Sequence, residues 1–531
     1  MRFRRADPNA PPKPQRSTHG RMLVTALAGA LCVLGFAPFG WWPLEILGLA
    51  TLFYQVLRSS SVKAAGLIGW AFGFGWTAAG VHWLYVSLHD HGGMAAPLAA
   101  VAVALLAWAM GFYVALAMGM AAWLRKKWAL PLPAANLLLL PALWALFEWL
   151  RGWLFTGFPW LSSGYAHNHS PLAGFAPIVG VYGLGWLAAL TAGALLLVFH
   201  RTRLRALALV VAVSVVGVGL SFIAWTHPQG HPISVRLIQG NVPQAEKFDG
   251  ARVAAVMRQY QDAITAAPAD LIATPETAIV MLPQQLPPDY LPGLAQFMHQ
   301  TNSNLILGIP MADSRTAYFN SVLGIAANPG AAQVAGGYYR YDKHHLVPYG
   351  EFIPWGFRWF VNLMSIPLGD QTSGPDIQPA FAIRDQLVLP NICYEDLFGE
   401  EIAAQLNTPA QGQQPATMLL NVSNLAWFGD TIAIPQHLQI SQMRTLETGR
   451  PMLRATNTGA TAIIDGRGVV REQLAVNTTG TLAANVQGMA GTTPYIVLGN
   501  KLFLALALLS LGGAWLWAKR SRAEKNAAAA A

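Results

Sequence analysis

The chain has 531 residues, of which 54% are hydrophobic and only 11% charged. A soluble globular domain carries about a quarter of its residues as charges, so composition excludes an ordinary soluble protein and points to a membrane one. The formal charge of +9 is divided between a segment, 227–495, that holds 14 Lys+Arg against 20 Asp+Glu and a remainder that is strongly basic. That division excludes nucleic acid binding as the reason for the basic balance and makes it a topology signal instead.

In chain order, residues 1–21 (MRFRRADPNAPPKPQRSTHGR) are basic and Pro-rich and read as a disordered cytoplasmic tail. Eight apolar stretches follow, at roughly 22–38, 42–57, 63–87, 95–124, 134–152, 172–199, 206–226 and 497–518. A helix needs about 20 mostly apolar residues to cross a hydrocarbon core, so about eight transmembrane helices are expected. Seven form a membrane domain, 22–226; the eighth, at 496–518, leads to a short cytoplasmic tail, 519–531.

The loops orient these spans. Arg58 and Lys63 follow the second, Arg125 to Lys127 the fourth, Arg201, Arg203 and Arg205 the sixth, and Lys519, Arg520, Arg522 and Lys525 the eighth, whereas the alternate loops are nearly bare. Cytoplasmic loops carry the basic excess. The even loops are therefore cytoplasmic, and 227–495 is a periplasmic domain. The first span reads as an uncleaved anchor because the alternation continues through it. Cys32 within it reads as a small apolar side chain, and Glu148 with Arg151 as an interfacial ion pair.

From Ile233 the pattern changes to short apolar runs closed by Gly, Pro or Asn: ISVRLIQGN, DLIATPE, NLILGIP, NSVLGIA, LVLPNICYE and TMLLNVSN. These read as strands. Helix-like segments such as 251–266 and 435–448 separate them, which implies an α/β domain with layered packing. The second of only two cysteines, Cys393, ends one of these strands. An unpaired thiol outside the membrane is either a buried strand residue or a nucleophile. A nucleophile needs a base and a cation. Glu276 just past a strand, Lys343 in RYDKHHLVPYGEFIP, and Glu351 eight residues later supply both.

Glu276, Lys343 and Cys393, in that order, resemble the Glu-Lys-Cys triad of the nitrilase superfamily. With KHHLVPYGEFIP, NICYED, NVSNLAWFG, QMRTLETGRPMLRATNTG and the final span, the chain resembles the apolipoprotein N-acyltransferase family over nearly its whole length. The resemblance implies an α-β-β-α sandwich beside the helical bundle. It also implies that Cys393 takes an acyl chain from a phospholipid as a thioester and passes it to the α-amine of a diacylglyceryl cysteine on an apolipoprotein. Glu276 would be the general base, and Lys343 an oxyanion donor. Glu351 is a supporting group by the same resemblance. Tyr394 is expected to line the site, and Glu395 either to shape it or to complement a helix dipole.

No metal is expected, because the His pairs at 89/91, 167/169 and 344/345 lack ligand spacing. No nucleotide cofactor is expected either, for want of a phosphate-binding glycine loop. Thr274, Phe248 and Leu425 depart from the family pattern, Leu425 by removing an acid near the site. Asn421, Ser423 and Asn424 read as turn residues. The aromatic stretch Ile353 to Gly369 reads either as a lipid-touching lid or as a core helix. Two rival functions remain open on residues alone. A membrane-tethered amide hydrolase would use the same triad but needs only one span, and a transporter would need more intramembrane charge than Glu45 and Glu148 provide.

Overall fold

The computed structural model describes residues 17–198, 200–247, 249–328, 338–356, 358–361, 370–410 and 412–530. Six helices are long and apolar enough to cross a membrane: Thr18–Gly35, Ala96–Trp128, Leu132–Arg151, Ala173–Leu196, Arg203–Leu220 and Lys501–Ala528. The 16-residue apolar helix Trp42–Leu57 and a bent pair, Val62–Gly80 with Leu84–His91, correspond to the second and third expected stretches. The third is thus not one straight span: it bends by 64°. The bend follows Gly80, where an added Cβ would lie 2.1 Å from Leu161, and it lets the Trp83 indole donate both to the Gly80 carbonyl and to Gln436 of the outer domain.

Most of the expected N-terminal tail, residues 1–16, lies outside the described residues. The first helix begins at Thr18, earlier than expected, because the Ser17 hydroxyl caps it by accepting from the Gly20 N–H. The last helix continues through the expected C-terminal tail to Ala530. Small residues let the first and third spans meet backbone to backbone: a Cβ on Gly75 would sit 2.0 Å from the Ala26 carbonyl oxygen. Without water to drive association, such close packing is what holds membrane helices together. Glu148 and Arg151 are 3.7 Å apart, and Glu45 is 3.2 Å from His167.

The outer domain is built on two six-stranded sheets. The strands are β1 (Ile233–Gln239), β2 (Leu271–Ala273), β3 (Asn304–Ala312), β4 (Tyr318–Ile325), β5 (Tyr339–Asp342), β6 (Phe381–Ile383), β7 (Gln386–Ile392), β8 (Met418–Ser423), β9 (Met452–Thr456), β10 (Ala462–Ile464), β11 (Val470–Gln473) and β12 (Gly480–Val486). One sheet has the order β12-β1-β2-β3-β4-β5 and the other β11-β10-β9-β8-β7-β6. In each, three neighbouring strands run parallel, β1 to β3 and β7 to β9.

Alternation along the strands builds the layers. Ile306, Val322, Val388, Leu420 and Leu453 meet in a core between the sheets. Leu305, Leu307 and Ile309 face the other way, against helices α1 (Gly250–Thr265) and α2 (Tyr290–Thr301). Leu389, Leu419 and Met452 face α3 (Gly399–Asn407) through Ile402 and Leu406. The result is the α-β-β-α sandwich that the resemblance implied.

Helix α4 (Ala433–Thr448) joins sandwich to bundle and is buried along almost its whole length. Gln436 Oε1 accepts from the indoles of Trp83 and Trp160, and Gln439 Oε1 accepts from the Ala37 N–H. Near its end Arg444 and Glu447 pair at 3.0 Å, both wholly buried, and Glu447 also accepts the Val181 N–H from the bundle at 2.9 Å. Removing one member of a buried pair leaves an uncompensated charge worth about 3–5 kcal/mol, whereas replacing both can be nearly neutral. Arg444→Met should therefore lower the melting temperature of the detergent-solubilised protein sharply, and adding Glu447→Leu should recover most of the loss.

Candidate active site

The chemistry-bearing residues follow the ends of strands. Three residues after β2, past Thr274 and Pro275, comes Glu276; Lys343 follows β5, Cys393 follows β7 and Asn424 follows β8. In sheets of this kind the carboxyl ends of parallel strands are where a ligand can be met by several elements at once. Cys393 has φ +53°, in the left-handed region that a side chain rarely adopts. Its peptide is held there from both sides. The carbonyl faces His437 Nε2 at 3.2 Å and Asn421 Nδ2 at 3.4 Å, while the preceding Ile392 N–H donates to Glu395 Oε2 at 2.6 Å.

Lys343 is 1% exposed. Its Nζ donates to Glu351 Oε1 at 2.8 Å and lies 3.4 Å from Glu276 Oε1. Asn320 bridges the two carboxylates, its amide donating to Glu276 at 2.7 Å and to Glu351 at 2.8 Å. The remaining oxygens take backbone donors, Glu276 Oε2 from Asn424 and Glu351 Oε2 from Val347. Burial opposes the Lys343 charge, but Glu351 and Glu276 outweigh it and hold the ammonium above the ordinary lysine range. Burial and then Glu276 push the Cys393 thiol well up, against the pull of Lys343 and the Asn424 N–H. The resting sulfur is a thiol beside a pinned carboxylate, an arrangement that delivers a nucleophile only when the proton leaves during attack.

The remaining expected residues fall at the edge of this cluster. Glu395 does more than complement a dipole: it accepts from the Ile392 and His344 N–H groups and the Tyr341 hydroxyl, tying the nucleophile turn to the segment that carries Lys343. Tyr394 reaches into the bundle, its hydroxyl donating to the Gly157 carbonyl at 3.1 Å. His345 Nε2 meets the Thr156 carbonyl at 2.9 Å and its Nδ1 meets Glu401. Thr156 and Gly157, which present these carbonyls, and Phe155 before them all have positive φ.

Leu425 is wholly buried and packs with Ile434 and Ala460 against Cys393, so at this position the site has an apolar wall in place of an acid. Thr274 accepts the Gly308 N–H and ties two strands. Asn424 links Glu276 to Gln244 and Asn457 in addition to capping its own turn. Trp355 is 98% exposed and Trp359 64%, which overturns a core-helix reading for these two side chains. Of that stretch, residues 357 and 362–369 lie outside the described residues, as does Phe248. Among the described residues, no group of three or more His, Cys, Asp or Glu is arranged to hold a metal ion.

Asn320, His437 and Arg454 were not singled out from sequence. Asn320 and Ser321 are polar residues inside a mostly apolar strand, a signal of burial with a partner. His437 receives a hydrogen bond on Nδ1 from Arg454, which is itself paired with Asp396 at 3.3 Å, and stacks on Trp160 of the bundle. Only the folded contacts reveal this chain.

A family model described as the apolipoprotein N-acyltransferase N-terminal domain matches residues 28–194, and a carbon-nitrogen hydrolase model matches residues 234–495. An apolipoprotein N-acyltransferase of Ralstonia nicotianae is 49% identical over 505 residues, covering 94% of each chain. One from Nitrosomonas europaea is 44% identical, covering 93% of this chain and 97% of its own. Among solved structures, a CN-hydrolase superfamily protein of Xanthomonas campestris, XC1258, aligns with 14% identity and a TM-score of 0.35 over 52% of this chain and 97% of its own.

Burial pushes the Glu395 carboxyl up to about 7, against the Ile392 and His344 N–H groups that favour its anion. The folded chain therefore binds more protons than the unfolded chain between about 4.5 and 7, and the contribution of Glu395 to stability declines as pH rises through that window. The melting temperature of the wild type relative to Glu395→Gln should fall from pH 5 to pH 8. Holding the proton up to about pH 7 instead of losing it near 4.5 corresponds to about 3 kcal/mol across the window.

Proposed function

The chain belongs to the apolipoprotein N-acyltransferase family, and on that premise we propose that Cys393, Glu276 and Lys343 carry an acyl chain from a phospholipid to a lipoprotein N-terminus in two steps. The protein is an acyltransferase of a bacterial membrane, with lipid and lipoprotein substrates. The observation that carries the mechanism is the buried Glu276–Lys343–Glu351 cluster, joined by Asn320, beside a thiol on a left-handed turn.

In the first step Cys393 Sγ attacks the ester carbonyl while Glu276 takes the thiol proton. The tetrahedral oxyanion is held by Lys343 and the backbone N–H of Tyr394. Collapse breaks the ester C–O bond, Glu276 returns the proton to the departing oxygen, and a lysophospholipid leaves behind a thioester. In the second step the neutral α-amine of the diacylglyceryl cysteine attacks that thioester. Glu276 takes the amine proton and gives it to the sulfur, which leaves an amide and the free thiol. Removing one oxyanion donor typically costs about 3 kcal/mol of barrier.

Position relative to the bilayer supports lipid substrates. Tyr394, Leu397 and Phe398 of the nucleophile turn share one continuous apolar cluster with the bundle. Bare aromatic side chains, Phe155 on the bundle and Trp355 and Trp359 on the sandwich, are placed to meet acyl chains. The alternation of basic loops supports a periplasmic catalytic domain, 227–495, with both chain ends in the cytoplasm.

Intact mass of the full-length protein after incubation with phospholipid should show the gain of one acyl chain, absent from Cys393→Ser and lost to a diacylated lipopeptide in a chase. An adduct discharged only to water would instead favour a tethered hydrolase. Because Trp355 and Trp359 are exposed, changing both to Ser should leave the melting temperature in place and slow formation of the acyl adduct from vesicles several-fold. Unchanged kinetics would remove the lipid-touching role.

A further inference from the structure

The mechanism above sets one cation, Lys343, against two carboxylates and a thiol that burial keeps protonated. A second buried ammonium stands in the same chamber. Lys247 ends the short helix Gln244–Lys247 and is 3% exposed. Among the described residues its Nζ makes one hydrogen bond, 3.1 Å to the backbone carbonyl of Glu276, and has no carboxylate within 4.0 Å. The same turn reaches the site a second time: Gln244 accepts from Asn424 Nδ2 at 2.9 Å, and the Asn424 N–H donates to Glu276 Oε2.

A neutral donor would satisfy a single carbonyl. A buried ammonium without an ion-pair partner is costly, and its cost is visible here: burial draws Lys247 down to about 8, against the pull of Glu276 and Cys393. Those two groups are what its charge faces. The groups acting on Cys393 in turn are Glu276, Lys343, Glu351, Lys247 and Arg454, with His437 on its carbonyl. With Lys247 charged, the two carboxylates are balanced by two ammonium groups, and ionising the sulfur adds the first net negative charge. Without it, the cluster already carries that charge, and a thiolate or an oxyanion adds a second to a buried site.

We propose that Lys247 is a positioning residue of the reaction, which fixes the base through the Glu276 main chain and supplies the balancing charge that lets Cys393 give up its proton. The proposal deepens the acyl-transfer reading and rests on Cys393 as the nucleophile. It is tested without any acyl donor, so that its failure and that of the transfer reaction are separable.

The measurement is the rate of alkylation of Cys393 by iodoacetamide in the full-length detergent-solubilised protein from pH 6 to pH 9, read by peptide mass, for wild type, Lys247→Gln and Lys247→Met. Gln keeps a donor for the Glu276 carbonyl and loses the charge; Met loses both. The buried Cys32, 0% exposed, is the internal reference. Both variants should react about tenfold more slowly at pH 7, while Lys247→Gln melts as the wild type does. A Lys247→Gln profile matching the wild type would overturn the proposal, because the lysine would then serve only as a hydrogen-bond donor. Alkylation of wild-type Cys393 no faster than that of Cys32 would remove the nucleophile itself and the proposal with it.

Discussion

Lys343, an ammonium that is 1% exposed, is held charged by the two carboxylates that adjoin it, Glu351 and Glu276. That constraint fixes the rest of the site. Each carboxylate must find donors for its second oxygen, which brings Asn424 and Val347 to the cluster, and Asn320 must sit where it can serve both acids. Because these residues come from the ends of strands in both sheets, the ion cluster also clamps the sandwich where it opens. A neutral residue at 343 would leave two buried carboxylates facing each other, so loss of the lysine would damage the site before any question of catalysis arose.

The second constraint is that the nucleophile turn does not belong to the sandwich alone. Tyr394 and His345 fasten it to the Gly157 and Thr156 carbonyls of the bundle, and His437 connects its carbonyl to Trp160 through a stacked ring. His437 can donate from Nε2 because Arg454 occupies Nδ1, and burial with the nearby Arg454 charge keeps its imidazole neutral. A tethered domain would need none of these contacts. Their presence means that the left-handed turn at Cys393 is over-determined by two domains, and such strained conformations persist only when the surroundings impose them.

Much of this was legible in the sequence because it rests on local patterns. The eight apolar stretches correspond to helices since hydropathy and length are local properties, and the bend after Gly80 escaped because the side chains that meet it, Leu161 and Gln436, lie far along the chain. The strands were legible from short runs closed by turn residues, and Cys393, Glu276 and Lys343 from their order past strand ends. Asn320, His437, Arg454 and Lys247 were not, because each matters through burial and through a partner on a different element. Lys247 lies 29 residues before Glu276, and an isolated lysine beside a turn reads as a solvated side chain until its burial is known. Glu395 was half legible: its acidic character suggested a helix terminus, whereas its role comes from reaching Tyr341 and His344.

On the proposed mechanism the protonated resting thiol has a further consequence. Burial and Glu276 make a negative sulfur unfavourable, and a thioester sulfur is neutral. Acylation therefore exchanges one neutral sulfur for another, and no step of the cycle needs a free thiolate to accumulate beside the buried apolar wall that Leu425 supplies. An amine differs from water in being the stronger nucleophile while neutral, and its proton passes through Glu276 to the departing sulfur, so that no thiolate need accumulate. The same electrostatics that make Cys393 a poor free nucleophile thus make the proton path through Glu276, in both half-reactions, the constraint on the cycle.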